Sequence, residues 1–202
     1  MCACSQSLAG SRGIGVFSAG EAGSVSSQDT GGQGTGGQGT GGQSTAEVIV
    51  ASTRAASGEY EDRSGALAVA WLRDRGFEVP EAIIVADKDM PGYLGQRLAD
   101  PARLPRILLT TGGTGLAADD RTVETVRPYL DKELPGVMME FFRRGAQSVP
   151  TAVLSGGVAG TVGRTFVMTL PGSTGGVKDG LAVLEPLIEH IVAMLEGNTN
   201  HD

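Results

Sequence analysis

The chain has 202 residues, with 16 Lys and Arg against 23 Asp and Glu, a formal net charge of -7. No Lys/Arg cluster relieves that acidity, which excludes nucleic acid as the main partner, because such binding rests on phosphate neutralisation by clustered cations. No apolar run reaches the ~18 residues of a membrane helix. The beginning also lacks a basic stretch followed by an apolar one, so the expectation is a cytoplasmic protein with no membrane partner. The only cysteines, Cys2 and Cys4, cannot staple a core. With no second cysteine pair or histidine near them, they read as free thiols and not as metal ligands.

Residues 1–45 are dominated by Gly, Ser, Thr and Gln, and the unit Gly-Gly-Gln-(Gly/Ser)-Thr recurs from Gly31, Gly36 and Gly41. Such a segment buries too little apolar surface to offset its ordering entropy and is expected to be a disordered tail. A role in recruiting partners is the other reading of it. Residues 46–197 have ordinary globular composition and a length suited to one well-buried domain. Residues 198–202 read as a short C-terminal tail.

Within that domain, Glu47-Val48-Ile49-Val50-Ala51-Ser52 reads as a first strand opening into a polar loop over residues 53–65. Leu67, Ala68, Trp71 and Leu72 then give the i,i+4 stripe of a core-facing helix stopped by Gly76, with Trp71 in the core. Ile83-Ile84-Val85-Ala86 is a second strand ending at Asp87, and residues 94–99 suggest a short helix. Arg106-Ile107-Leu108-Leu109 is a third strand. A helix is expected from Thr122, with Thr122 as N-cap and Thr125 at the third helical position. Pro135-Gly136 breaks the chain before a helix over residues 137–144. Ala152-Val153-Leu154 and Thr165-Phe166-Val167-Met168-Thr169-Leu170 read as two more strands. Leu181, Leu184, Ile188, Ile191 and Leu195 mark a final helix, kinked or restarted at Pro186 and stopped near Gly197.

Strands alternating with helices predict an α/β three-layer sandwich: a mostly parallel central sheet covered by helices on both faces. Ligands of such sheets bind beyond the carboxyl ends of the strands. Polar, acidic or glycine-rich residues follow four of those ends: after Ser52, at Asp87, after Thr111 and after Leu170.

The loop Thr111-Gly112-Gly113-Thr114-Gly115 suits close approach of an anion to the main chain. It is not a Walker loop, since no Gly-Lys-Ser/Thr follows, and it lacks the Gly-x-Gly-x-x-Gly dinucleotide spacing. Asp119 and Asp120 come next. Beside a phosphate they call for a cation, and Mg²⁺ takes one or two carboxylates with phosphate oxygens and water. Asp87, on an adjacent strand end, is a second candidate ligand. Alternatively Asp119 or Asp120 caps the helix at Thr122, a reading that suits Asp119 better than Asp120. Pro171-Gly172-Ser173 is either a second anion loop ahead of a helix, with Lys178 adding charge, or a plain turn with Ser173 as N-cap. His190 and His201 join no metal-ligand or nucleophilic set.

The run Thr111-Gly112-Gly113-Thr114-Gly115-Leu116-Ala117-Ala118-Asp119-Asp120-Arg121-Thr122 resembles the signature of the MogA/MoaB molybdenum-cofactor family: Thr-Gly-Gly-Thr-Gly, four variable residues, then Asp-x-Thr. Glu133-Leu134-Pro135-Gly136 and Leu170-Pro171-Gly172-Ser173 resemble two further family turns, and residues 57–65 its first loop. The similarity runs in order over residues 47–195. It implies a molybdopterin-binding fold, commonly trimeric, that adenylylates molybdopterin with Mg-ATP and releases pyrophosphate, alongside other molybdenum cofactor biosynthesis proteins. It implies Asp87 and Asp120 as catalytic, Mg²⁺-holding carboxylates. Thr111, Gly112, Gly113, Thr114, Gly115, Ser155, Pro171, Gly172 and Ser173 would hold molybdopterin, and Ser57, Gly58 and Asp62 the nucleotide. Many members carry Ser-Arg where this chain has Ser155-Gly156. A non-catalytic molybdopterin carrier of the same fold is the alternative.

Overall fold

The structure is a computed structural model that describes residues 44–197. The expectations placed on the repeat tail, Cys2, Cys4, His201 and residues 198–202 lie outside these residues. Strand β1 (Ala46–Ala51), β2 (Ile83–Val85), β3 (Ile107–Thr111), β4 (Lys132–Glu133), β5 (Ala159–Val162) and β6 (Thr165–Leu170) form one six-stranded sheet in the order β2-β1-β3-β6-β5-β4. The first four in that order run parallel, β5 is antiparallel to β6, and β4 is antiparallel to β5. The sheet is therefore mostly parallel, and its parallel half delivers four strand ends to one edge.

Period-two alternation splits the core between the two faces. Val48, Val50, Ile107, Leu109, Phe166, Met168 and Leu170 point into one cluster. Ile49, Ala51, Leu108 and Val167 point into the other. The first face is covered by α2 (Ser64–Asp74), α5 (Pro135–Ser148), α6 (Thr174–Leu184) and α7 (Ile188–Glu196), which contribute Leu72, Phe141, Val177 and Ile191. The second is covered by α3 (Met90–Leu98) and α4 (Thr122–Val126), which contribute Leu94 and Val126. Burying a Leu or Phe of this kind stabilises by about 1.5–3 kcal/mol. A bidentate pair also ties α3 to β1, with Arg97 donating to both carboxylate oxygens of Glu47 at 3.1 and 2.9 Å.

Several sequence expectations need correction. Residues 152–154 form no strand: they lie in a 3₁₀ turn, Pro150–Leu154. Pro150 opens that turn with its fixed φ, and Val153 and Leu154 are exposed. The partner of β6 is instead β5, joined to it by the two-residue turn Gly163-Arg164. Pro135 does not break the chain but starts α5, because a helix's first residue has no intrahelical use for its N–H. That helix continues to Ser148, beyond the expected end at residue 144. Helix α3 begins at Met90, with Met90, Leu94 and Leu98 buried at i,i+4 spacing, and not at residue 94. Thr122 is not the N-cap of α4 but its first helical residue, preceded by Arg121, and it is buried. The polar loop after β1 contains a short helix, α1 (Thr53–Ala56). Trp71 packs against the first core cluster, as expected, but is only half-buried: its indole donates to Glu185 at 2.9 Å and Arg75 lies over its ring. Pro186 falls at the restart between α6 and α7, and Gly197 caps α7.

Candidate active site

Four strand ends open into one cleft of about 520 Å³. Ser52, Thr53 and Arg54 come from the end of β1, Asp87 from β2, residues 112–115 from β3, and Pro171 and Gly172 from β6. Tyr60, Asp62, Ser64, Asp120 and Ser155 complete the polar lining.

The glycine loop is pinned on every side. The Gly112 amide donates to the Leu170 carbonyl at 2.9 Å, and the Thr122 amide donates to the Gly113 carbonyl at 3.0 Å. Gly112 has φ 84° and Gly113 φ 63°. A Cβ on Gly112 would overlap the Ala51 carbonyl oxygen, and one on Gly113 the Thr122 hydroxyl. Glycine is therefore dictated by both conformation and close backbone approach. The buried Thr114 hydroxyl bonds Ser155 at 2.8 Å, and the Gly156 amide donates to the Thr114 carbonyl at 2.6 Å. Residues 155–156 thus clamp the loop from the side. Thr111 is fully buried and does not line the cleft. Its hydroxyl lies 3.1 Å from that of Ser64. Since Ser64 donates to Asp62 at 2.7 Å, Thr111 is the donor to Ser64.

Asp87 and Asp120 face the same cleft, each held by one carboxylate oxygen. Asp87 Oδ2 accepts from the Thr53 amide at 2.8 Å and the Thr53 hydroxyl at 2.7 Å. Asp120 Oδ2 accepts from the Ala117 amide at 3.0 Å. Asp120 therefore closes its own turn and caps no helix. Asp119 is exposed and does not line the cleft. The Asp62 carboxylate braces the fold by accepting from the amides of Ser64 and Gly65 at the start of α2. Ser57 and Gly58 are exposed on the turn of the same loop and do not line the cleft.

Ser173 and Lys178 sit elsewhere. Ser173 is the N-cap of α6, accepting from the Gly176 amide at 3.1 Å. It lines an adjoining cavity of about 430 Å³ with Phe141, Val149, Ala152 and Lys178. Ser155 and Pro171 border both cavities. A cleft bearing the backbone amides of a glycine loop beside a more apolar cavity suits a ligand with a phosphate end and a ring end.

Arg54 and Thr53 are cleft residues that no motif in the sequence marks, and Tyr60 and Ser64 are cleft residues within the first loop that sequence reasoning does not single out. Their only signal is membership of the loop after β1, because the turn that brings them back to the cleft leaves no spacing pattern. No group of three or more His, Cys, Asp or Glu side chains able to hold a metal occurs among the described residues. Nor is any helix among them long and apolar enough to cross a membrane.

The family described as "Probable molybdopterin binding domain" matches residues 47–190. A molybdenum cofactor biosynthesis bifunctional protein of Chlorobaculum tepidum is 35% identical over 157 residues, covering 75% of this chain and 48% of that protein. The chain thus spans about half the length of the bifunctional relatives it matches. A molybdopterin adenylyltransferase of Pyrococcus furiosus is 34% identical over 152 residues, covering 72% of this chain and 87% of that one. The solved molybdopterin biosynthesis Mog protein from Mycobacterium ulcerans is 39% identical, with a TM-score of 0.69, over 77% of this chain and 99% of its own.

Proposed function

The chain belongs to the molybdopterin-binding family of molybdenum cofactor biosynthesis proteins, and from that premise we propose that it adenylylates molybdopterin with Mg-ATP. The observation that carries this reading is the convergence of Asp87 and Asp120 on one cleft with the glycine loop. In the reaction, an oxygen of the molybdopterin phosphate attacks the α-phosphorus of ATP. The bond from that phosphorus to the β-phosphate oxygen breaks, and pyrophosphate leaves.

The surroundings of each residue support its role. The backbone of Gly113, Thr114 and Gly115 takes the phosphate of molybdopterin, and Ser155 holds that loop through Thr114. The pterin ring extends toward the more apolar cavity bordered by Ser155, Pro171 and Ser173. The loop after β1 takes the nucleotide, with Ser57, Gly58 and Asp62 shaping it.

The acidic residues suit Mg²⁺. Asp87 and Asp120 each commit Oδ2 to the protein's own donors, leaving Oδ1 to an ion that needs one or two carboxylates. Such an ion, when bound, offsets phosphate charge and draws electron density from the α-phosphorus. The chain's own part is positioning, which is most of what nucleotidyl transfer requires. The same reading makes the protein a cytoplasmic homotrimer working with other molybdenum cofactor biosynthesis proteins.

Incubation with molybdopterin and Mg-ATP tests it. Pyrophosphate and adenylylated molybdopterin in equal amounts are the expected products. Tight pterin binding with no pyrophosphate would sink the enzyme reading in favour of a carrier, for which Gly156, with no guanidinium beside Ser155, is the supporting feature.

A further inference from the structure

Among the described residues, Arg54 is the only cationic side chain lining the cleft, against three carboxylates, Asp62, Asp87 and Asp120. Nothing in the sequence marks it, and the assignment of the nucleotide loop to Ser57, Gly58 and Asp62 omits it. Its setting is nevertheless built. The Arg54 carbonyl accepts from the amides of Glu59 and Tyr60 at 3.0 and 3.2 Å, and from the Ser57 hydroxyl at 3.1 Å. The chain reverses at Gly58, with φ 78°, to make these bonds. That closure folds Tyr60 back on Arg54, and the guanidinium carbon lies 5.5 Å from the ring centroid. Tyr60 is 47% exposed and lines the cleft beside it.

Charge makes this arrangement informative. The three carboxylates are turned to other donors: Asp62 to Ser64 and Gly65, Asp87 to Thr53, and Asp120 to Ala117. Arg54 forms no ion pair among the described residues and rests on the ring instead. A cation–π contact at this distance occupies none of the guanidinium's N–H donors as hydrogen bonds, and those donors match phosphate oxygens two at a time. A cleft with three carboxylates repels a polyphosphate unless some cation offsets them. Arg54 follows directly on Thr53, whose amide and hydroxyl hold Asp87. The guanidinium is thus on the β1 side of the cleft, while Asp120 is on the β3 side with the glycine loop.

We infer that Arg54, steadied by Tyr60, holds the pyrophosphate portion of the nucleoside triphosphate, its β- and γ-phosphates. This rests on the adenylyltransferase reading and names the residue that tells a triphosphate from a monophosphate. When the α-phosphorus–oxygen bond breaks, negative charge grows on the departing pyrophosphate, and a fixed guanidinium there stabilises it. Ser57 and Gly58 then serve the nucleotide indirectly, by closing the loop that places Arg54.

The test uses the full chain and its Arg54→Ala, Arg54→Lys and Tyr60→Leu variants. It measures KM for ATP and inhibition by inorganic pyrophosphate and by AMP, with molybdopterin affinity as the check on an intact cleft. Arg54→Ala should raise the ATP KM and the pyrophosphate inhibition constant together by about tenfold or more. AMP inhibition and molybdopterin affinity should stay within about twofold. Arg54→Lys should recover part of the loss, and Tyr60→Leu should show a smaller loss in the same direction. Unchanged pyrophosphate inhibition in Arg54→Ala overturns the inference, and so does an equal loss for AMP. A wild-type chain that makes no adenylylated molybdopterin overturns the adenylyltransferase reading itself, and this inference with it. A wild-type chain that turns over, with Arg54→Ala behaving identically, removes the inference alone.

Discussion

Asp119 and Asp120 are neighbours in sequence with different surroundings. Asp120 lines the cleft and accepts from the Ala117 amide, whereas Asp119 is exposed to solvent. Asparagine at position 120 keeps an oxygen for that amide but loses the charge. Asp120→Asn is therefore expected to abolish transfer while changing stability by less than about 1 kcal/mol. Asp119→Asn should leave both unchanged. Pyrophosphate release and urea unfolding on the two variants check this, and full activity in Asp120→Asn would remove the assignment. Gly112 is constrained differently. An alanine there meets a positive φ and the Ala51 carbonyl together, so Gly112→Ala should cost about 2 kcal/mol or more. A midpoint in urea equal to wild type would show that the loop relaxes freely.

At the scale of elements, what matters is which contact holds each one against the sheet. Helix α3 has both an apolar stripe and the Arg97–Glu47 pair. The pair is partly buried, with side chains 25% and 13% exposed. Its hydrogen bonds thus lie between exposed ion pairs, worth little, and buried ones, which are costly to break. The Arg97 guanidinium is held above its usual pKa, first by the hydrogen bond to Glu47. Glu47→Gln should lower stability by about 1–2 kcal/mol, read from thermal or urea unfolding, with the ATP KM unmoved. An effect on KM would mean that α3 reports to the cleft. The failed strand at residues 152–154 belongs to this scale as well. Ala-Val-Leu reads as a strand by composition, but Pro150 and the exposed side chains of Val153 and Leu154 place it on the rim. What that rim supplies is Ser155, whose hydroxyl bonds the buried Thr114.

For the molecule as a whole, the described fold begins with backbone pairing. The Ser44 carbonyl accepts from the Glu78 amide at 3.0 Å, and the Thr45 carbonyl accepts from the Arg106 amide at 2.9 Å. Removing residues 1–43 keeps both bonds and should leave adenylylation within about twofold of the full chain. Removing residues 1–45 strips both acceptors and should cost about 1–2 kcal/mol. Loss of activity in the shorter truncation would instead show that the Gly/Gln repeats contribute to function. By itself the sequence determined the mostly parallel α/β sheet, the stripes of α2 and α7, and the glycine loop at the end of β3, because apolar periodicity and glycine are local signals. It also marked Asp87 and Asp120, through strand ends and a motif. Only the tertiary structure decided that Thr111 turns away to Ser64 and that Ser173 caps α6 beside a second cavity. It alone put Arg54 and Tyr60 together in the acidic cleft. Those outcomes depend on which of several nearby donors each side chain meets once the loops close, and that competition leaves no periodic trace along the chain.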